Sequence, residues 1–84
     1  MNYTLHIEKK ASRQIEKLSK DTIKKVLEAL EKLQDDPRCI GSKKLHDRDG
    51  YRFRVGNYRI LYLIDDRNHE VLVYTILHRK DVYR

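Results

Sequence analysis

Arginine is set against arginine in the run Tyr51-Arg52-Phe53-Arg54-Val55, Gly56-Asn57, Tyr58-Arg59-Ile60-Leu61-Tyr62. A Gly-Asn pair between two alternating runs signals a two-residue hairpin, which pairs Val55 with Tyr58, Arg54 with Arg59 and Phe53 with Ile60. Side chains alternate across a strand, so Arg52, Arg54 and Arg59 share one face while Tyr51, Phe53 and Val55 line the other. Like charges opposed across a ladder are destabilising. Such a face is expected to receive an anion, and phosphate is the first candidate.

Composition agrees with that expectation. The 84 residues carry 19 Lys plus Arg against 13 Asp plus Glu, a formal net charge of +6. A polyanionic partner suits this balance, although a basic surface is also a common route to solubility. Taken alone, Arg52 and Arg54 could be the solvated face of an edge strand, where charge hinders aggregation. Arg59 facing them weighs against that reading.

The length suits one small domain over residues 1–84. One cysteine, Cys39, cannot form an internal disulfide, and no cysteine cluster suggests a metal site. The start Met1-Asn2-Tyr3-Thr4-Leu5 lacks the apolar run of a signal peptide, and no stretch approaches a membrane span. The expectation is a reduced, cytoplasmic chain without membrane association, cofactor or metal.

The arginines need elements to hold them. Tyr3, Leu5 and Ile7 alternate with Thr4 and His6 as a short opening strand with one buried side. Ala11, Ile15 and Leu18 recur at helical spacing from about Glu8 to Leu18, after which Ser19 or Asp21 can cap a second helix. That helix carries Ile23, Val26, Leu27, Leu30 and Leu33 on one stripe and ends at Asp35-Asp36-Pro37, because a residue before proline disfavours helical dihedrals. Residues Arg38 to Gly50 read as a linker with Leu45 as its anchor. Three strands follow: Tyr51 to Val55, Tyr58 to Ile64, and Val71 to His78.

The run Ile60-Leu61-Tyr62-Leu63-Ile64 is apolar on both faces and belongs in the middle of its sheet. The predicted class is α+β, in the order β-α-α-β-β-β, with two N-terminal amphipathic helices packed on one face of a small, mainly antiparallel sheet. A symmetric second hairpin pairs Ile64 with Val71, Leu61 with Tyr74 and Arg59 with Ile76. His78 then falls diagonal to Arg59 on the same face.

Collected by face, the candidates are Arg52, Arg54 and Arg59, with His78 at the end of the last strand and Arg79 and Tyr83 just beyond. Lys43 and Lys44 are placed to lean over the same surface from the linker. His6, His46 and His69 have weaker claims: His6 reads as an exposed strand residue and His69 as a loop residue. Tyr58, Tyr62 and Tyr74 lie in alternating apolar strands and suit packing better than base stacking.

Gly50-Tyr51-Arg52-Phe53-Arg54-Val55-Gly56-Asn57-Tyr58-Arg59-Ile60-Leu61-Tyr62, followed by Leu77-His78-Arg79-Lys80-Asp81-Val82-Tyr83, resembles the RelE/ParE toxin superfamily, and in particular its RelE-like branch. The likeness extends to the paired helices, Asp36-Pro37-Arg38 and Lys44-Leu45. It implies a toxin of a type II toxin–antitoxin system whose RelE branch enters the ribosomal A site and cuts messenger RNA without a metal. The implied partners are a cognate antitoxin, the ribosome and mRNA. Matched position by position, the implied active-site residues are Arg52, Arg54, Arg59, Arg79 and Tyr83; Lys43 and Lys44, from their place in the linker, join Arg52 and Arg54 as the residues expected to bind RNA.

The reaction needs an activated 2′-hydroxyl, a stabilised pentavalent phosphate and a proton for the departing 5′-oxygen. Arginine clamps phosphate oxygens bidentately, which suits Arg54, Arg59 and Arg79. It is a poor base, with a pKa above about 12, so Arg52 is not expected to abstract a proton even though the matching family position is sometimes lysine. His78 has a suitable intrinsic basicity, and Tyr83 can orient the hydroxyl, stack on a base or relay a proton. Two other readings stand beside the nuclease: a ParE-like inhibitor of DNA gyrase, and a ribosome or RNA binder without catalysis.

Overall fold

Ser19 divides the helical part of the chain in two. Its Oγ accepts the backbone N–H of Thr22 at 3.2 Å, capping a helix over Lys20–Asp35 (α2), while the preceding helix α1 covers Lys9–Glu16. At the other end of α2, Asp36 takes an extended conformation (φ −150°, ψ 99°), as its place before Pro37 demands. The computed structural model describes residues 2–82.

A strand β1 (Thr4–Ile7) precedes α1, and four strands follow α2: β2 (Ser42–Lys44), β3 (Tyr51–Val55), β4 (Tyr58–Asp65) and β5 (Glu70–His78). A one-turn helix, α3, covers Arg79–Val82. The strands form one sheet in the order β1-β5-β4-β3-β2, parallel only between β1 and β5. The α+β class and the central place of β4 are therefore as expected.

The strand β2 is a correction, since its residues were read as linker. Three residues are too few to show an alternating pattern, and the strand exists because β3 offers it an edge, pairing Lys43 with Arg52. β3 is consequently an interior strand.

Helices α1 and α2 pack on one face of the sheet. Ala11, Ile15, Val26, Ala29, Leu30 and Leu33 meet Phe53, Val55, Ile60, Tyr62, Val71, Val73 and Ile76 in one core. Burying a side chain of this size contributes roughly 1.5–3 kcal/mol. Leu27, expected on the buried stripe, is 51% exposed, and Ala29 is buried in its place. Ile7, expected on a buried side of β1, is 38% exposed. The opposite face of the sheet is uncovered by helices and carries the arginines.

The first hairpin has the predicted register: Val55 pairs with Tyr58, Arg54 with Arg59 and Phe53 with Ile60. Gly56, at φ +57°, occupies the first central position of the turn, where only glycine is at ease. The second hairpin begins as predicted, with Ile64 opposite Val71, and then departs. Tyr62 pairs with Val73 but Leu61 pairs with Thr75, so Tyr74 is an extra residue in β5. Beyond this bulge the register is shifted by one: Arg59 faces Leu77, and Tyr58 faces His78.

Candidate functional site

The shift moves His78 to the other side of the sheet. Because a one-residue slip exchanges the two faces of a strand, His78 follows Ile76 onto the helix side, where its ring meets the Tyr58 ring edge-on at 5.0 Å. Its Nδ1 accepts the backbone N–H of Lys80 at 3.2 Å, which ties the imidazole to the start of α3. The expected place of His78 beside Arg59 is thus corrected by the bulge at Tyr74.

The arginines do converge. Lys43, Arg52, Arg54 and Arg59 line one groove of about 280 Å³ on the open face, together with Gly41. Two cross-strand rows build it: Lys43 opposite Arg52, then Arg54 opposite Arg59 two pairs nearer the turn. Among the described residues no carboxylate lines this groove. Arg54 is exposed, whereas Arg59 is only 5% exposed, so its guanidinium stem forms part of the floor.

A second hollow, of about 330 Å³, shares Arg52 and Arg59 with the groove. Leu61 and Leu77 supply its apolar part on the sheet, and Lys44 at the end of β2 with Leu45, His46, Asp47 and Arg48 from the chain between β2 and β3 bound it. That connection is closed by the Leu45 N–H, which donates to the Gly50 carbonyl at 2.9 Å. Gly50, at φ +117°, sits where a Cβ would come within 3.0 Å of the Tyr62 carbonyl oxygen, so the chain can press onto the sheet there only without a side chain. Leu45 is half-buried, as its expected role as an anchor requires.

Arg79 is the first residue of α3, and its backbone N–H donates to the Asn57 carbonyl. The start of α3 is thereby fastened to the turn whose neighbouring pair is Arg54 and Arg59. Tyr83 lies outside the described residues. Of the other histidines, His6 is held by Glu70 at 3.2 Å and His69, in the turn at φ 54°, stacks on Tyr3. Tyr62 is fully buried and donates to the Pro37 carbonyl at 2.7 Å; burial pushes its phenol well above the ordinary tyrosine range.

A second charged cluster stands at the other end of the sheet and has a structural part. Arg38 donates Nη1 and Nη2 to the two oxygens of Asp66 at 2.9 and 2.8 Å, and its Nε to the Tyr51 hydroxyl at 3.1 Å. The Tyr3 hydroxyl donates to Asp66 Oδ1 at 2.8 Å. These hydrogen bonds hold the Asp66 carboxyl down to about 2, Arg38 contributing most. Residues before β1, after α2 and after β4 are joined at one point.

Sequence reading passed over Gly41 and ranked His46 low. Lys43 was the available signal, because a cation directly across from Arg52 extends the charged face by one strand. His46 carried no comparable signal, since a loop has no periodicity to say which way it folds.

Two helices packed behind a five-stranded sheet are an arrangement found in known proteins. The sequence profile described as ParE toxin of type II toxin-antitoxin system, parDE, matches residues 5–83. The chain belongs to the RelE/ParE superfamily of type II toxins. Among its relatives, Toxin RelG of Mycobacterium tuberculosis is 34% identical over 86 residues, covering 100% of this chain and 99% of that protein. A chain of the M. tuberculosis toxin–antitoxin complex RelBE2 superposes with a TM-score of 0.83 at 29% identity, over 94% of this chain and 100% of that one. A mutant of the E. coli toxin RelE in the free state gives 0.78 at 25% identity, over 99% and 92%. The order of elements, the five-stranded sheet and the helical face are those of RelE-like toxins. Among the described residues no helix is long and apolar enough to cross a membrane.

Proposed function

We propose that this toxin is a ribosome-dependent endoribonuclease that cleaves messenger RNA in the A site and so stops translation. The observation that carries this reading is the groove lined by Lys43, Arg52, Arg54 and Arg59 without a carboxylate among its described lining residues. The guanidinium groups of Arg52 and Arg54, with Arg59 at the floor, form a phosphate clamp, a guanidinium being suited in general to bidentate contact with phosphate oxygens. The scissile phosphate sits against Arg54 and Arg59, while Lys43, Lys44 and Arg52 hold the flanking backbone.

Cleavage runs by attack of the 2′-oxygen on the adjacent phosphorus. The O2′–P bond forms, the P–O5′ bond breaks, the 2′-hydroxyl loses its proton and the 5′-oxygen gains one. The arginines act on the pentavalent phosphate, where negative charge exceeds that of the ground state and donors act most strongly. Arg79 joins them from the start of α3, and Tyr83, by its match to the family pattern, orients the nucleotide. The ribosome supplies what an open groove on an 84-residue chain lacks, a fixed path for the message.

A cognate antitoxin is the cellular partner, a reading supported by the solved RelB–RelE complexes to which the fold is similar. Gyrase inhibition is the second reading, because the matching profile is described as a ParE toxin. Purified chain added to ribosomes programmed with a defined message, and separately to free RNA and to a gyrase supercoiling reaction, distinguishes the two. The expected outcome is A-site cleavage with free RNA largely intact and supercoiling unaffected. Rapid cutting of naked RNA, or arrested supercoiling with intact message, overturns the proposal.

A further inference from the structure

A clamp of arginines leaves the proton of the 2′-hydroxyl without an acceptor, because a guanidinium does not give up its own proton in a protein. Imidazole is the side chain suited to that transfer near neutral pH. The chain has four histidines, and all lie among the described residues. His78 is turned to the helix side against Tyr58. His6 is engaged with Glu70 in a separate hollow lined by Leu63 and Leu72. His69 stacks on Tyr3 at 4.6 Å in the β4–β5 turn, at the end of the sheet away from Gly56 and Asn57. His46 remains, and it bounds the hollow that contains Arg52 and Arg59.

We infer that His46, carried over the open face by the connection between β2 and β3, is the catalytic base of this toxin. The inference rests on the nuclease reading and completes it. In the step itself, His46 takes the 2′-hydroxyl proton as the O2′–P bond forms. Water then protonates the departing 5′-oxygen as the P–O5′ bond breaks, and the imidazolium returns its proton to the hydroxide left behind. No redox partner or metal enters the balance.

The geometry supports this in three respects. Arg59, against which the scissile phosphate sits, and Arg52, which holds the flanking backbone, belong to both hollows, so the nucleotide runs from the groove into the space beside His46. Leu61, Leu77 and Leu45 give that space an apolar lining able to receive a ribose and base rather than a second phosphate. His46 is itself exposed, so no packing holds its ring away from a ligand. The charged groups around it are Lys44 from β2, Asp47 and Arg48 from its own connection, Arg52 from β3 and Arg59 from β4.

The test is single-turnover cleavage of ribosome-bound message by wild type, His46→Gln, His46→Ala and Arg54→Ala across pH 5.5 to 9. Loss of a general base lowers the rate by about 10²–10⁴-fold. We expect His46→Gln to fall by that factor, to lose the decline in rate on the acid side of the profile, and to bind ribosomes as wild type does. Added imidazole should restore part of the rate to His46→Ala and none to Arg54→Ala, which should keep the acid-side decline. Cleavage by His46→Gln within a few-fold of wild type, with the same acid-side decline, places the base elsewhere and leaves the nuclease reading intact. Failure of the wild type to cut programmed message overturns both. An exposed loop position leaves the fold undisturbed, which equal melting temperatures would verify.

Discussion

Arg54 and Arg59 face each other directly across the β3–β4 ladder, one in solvent and the other 5% exposed. Like charges directly opposed across a ladder are unfavourable in general, and in the nuclease proposed above it is the scissile phosphate that lies against this pair.

The two positions should respond differently to mutation. Arg54→Ala is expected to reduce cleavage of ribosome-bound message by about 10²–10³-fold, the usual effect of losing one donor to developing charge, with little change in melting temperature. Arg59→Ala should lower both activity and stability, because its buried stem packs in the sheet. Arg59→Lys should rescue stability better than activity, since an ammonium lacks the planar fork. Parallel kinetics and thermal melts check this.

Acid should loosen the cluster around Asp66. Its folded-state carboxyl is held down to about 2 by Arg38 and Tyr3, below the unfolded value of about 3.9. A lowered folded value means that its stabilisation is complete above the unfolded value and is lost as pH falls towards about 2. Asp66→Asn should flatten the wild type's loss of stability over that window. Urea melts from pH 2 to 7 on both proteins would reveal it, and identical slopes would contradict it.

Tyr62→Phe leaves the buried Pro37 carbonyl without its donor. An orphaned buried acceptor costs about 1–3 kcal/mol, and that loss should appear in denaturant melts with an unchanged m-value. Cleavage activity should survive, because this contact lies on the helix side of the sheet.

His78→Phe keeps a ring for the edge-on contact with Tyr58 while removing the imidazole. The Lys80 N–H loses its acceptor, so a small fall in stability at the start of α3 is expected. Most of the cleavage rate should persist. A loss as large as that of Arg54→Ala would mean that His78 works at the reacting phosphate despite the face it occupies.

Much of this was legible in the chain. Gly56-Asn57 between alternating runs is a local instruction, and it alone determined that Arg54 meets Arg59, because a two-residue turn leaves a hairpin no other register. Ser19 as a cap and Pro37 as a stop acted on their neighbours in the same way, so the span of α2 was readable to within a few residues. The family resemblance likewise lies in contiguous stretches of sequence.

The tertiary structure decided what depended on residues far apart. Val71 and Val73 enter the core on one phase of β5 and Ile76 on the other, which requires the extra residue at Tyr74. Nothing in the sequence marks that slip, since Ile76 and Leu77 are both apolar and either could point inward. The helices settle it by what they cover, and His78 turns away from the arginines as a result. β2 exists only because β3 has an edge to offer. His46 shares a hollow with Arg52 and Arg59 only because the chain after β2 folds back over the sheet. Short-range sterics can be read from neighbours in the chain, whereas the choice of face belongs to packing, which needs every element in place.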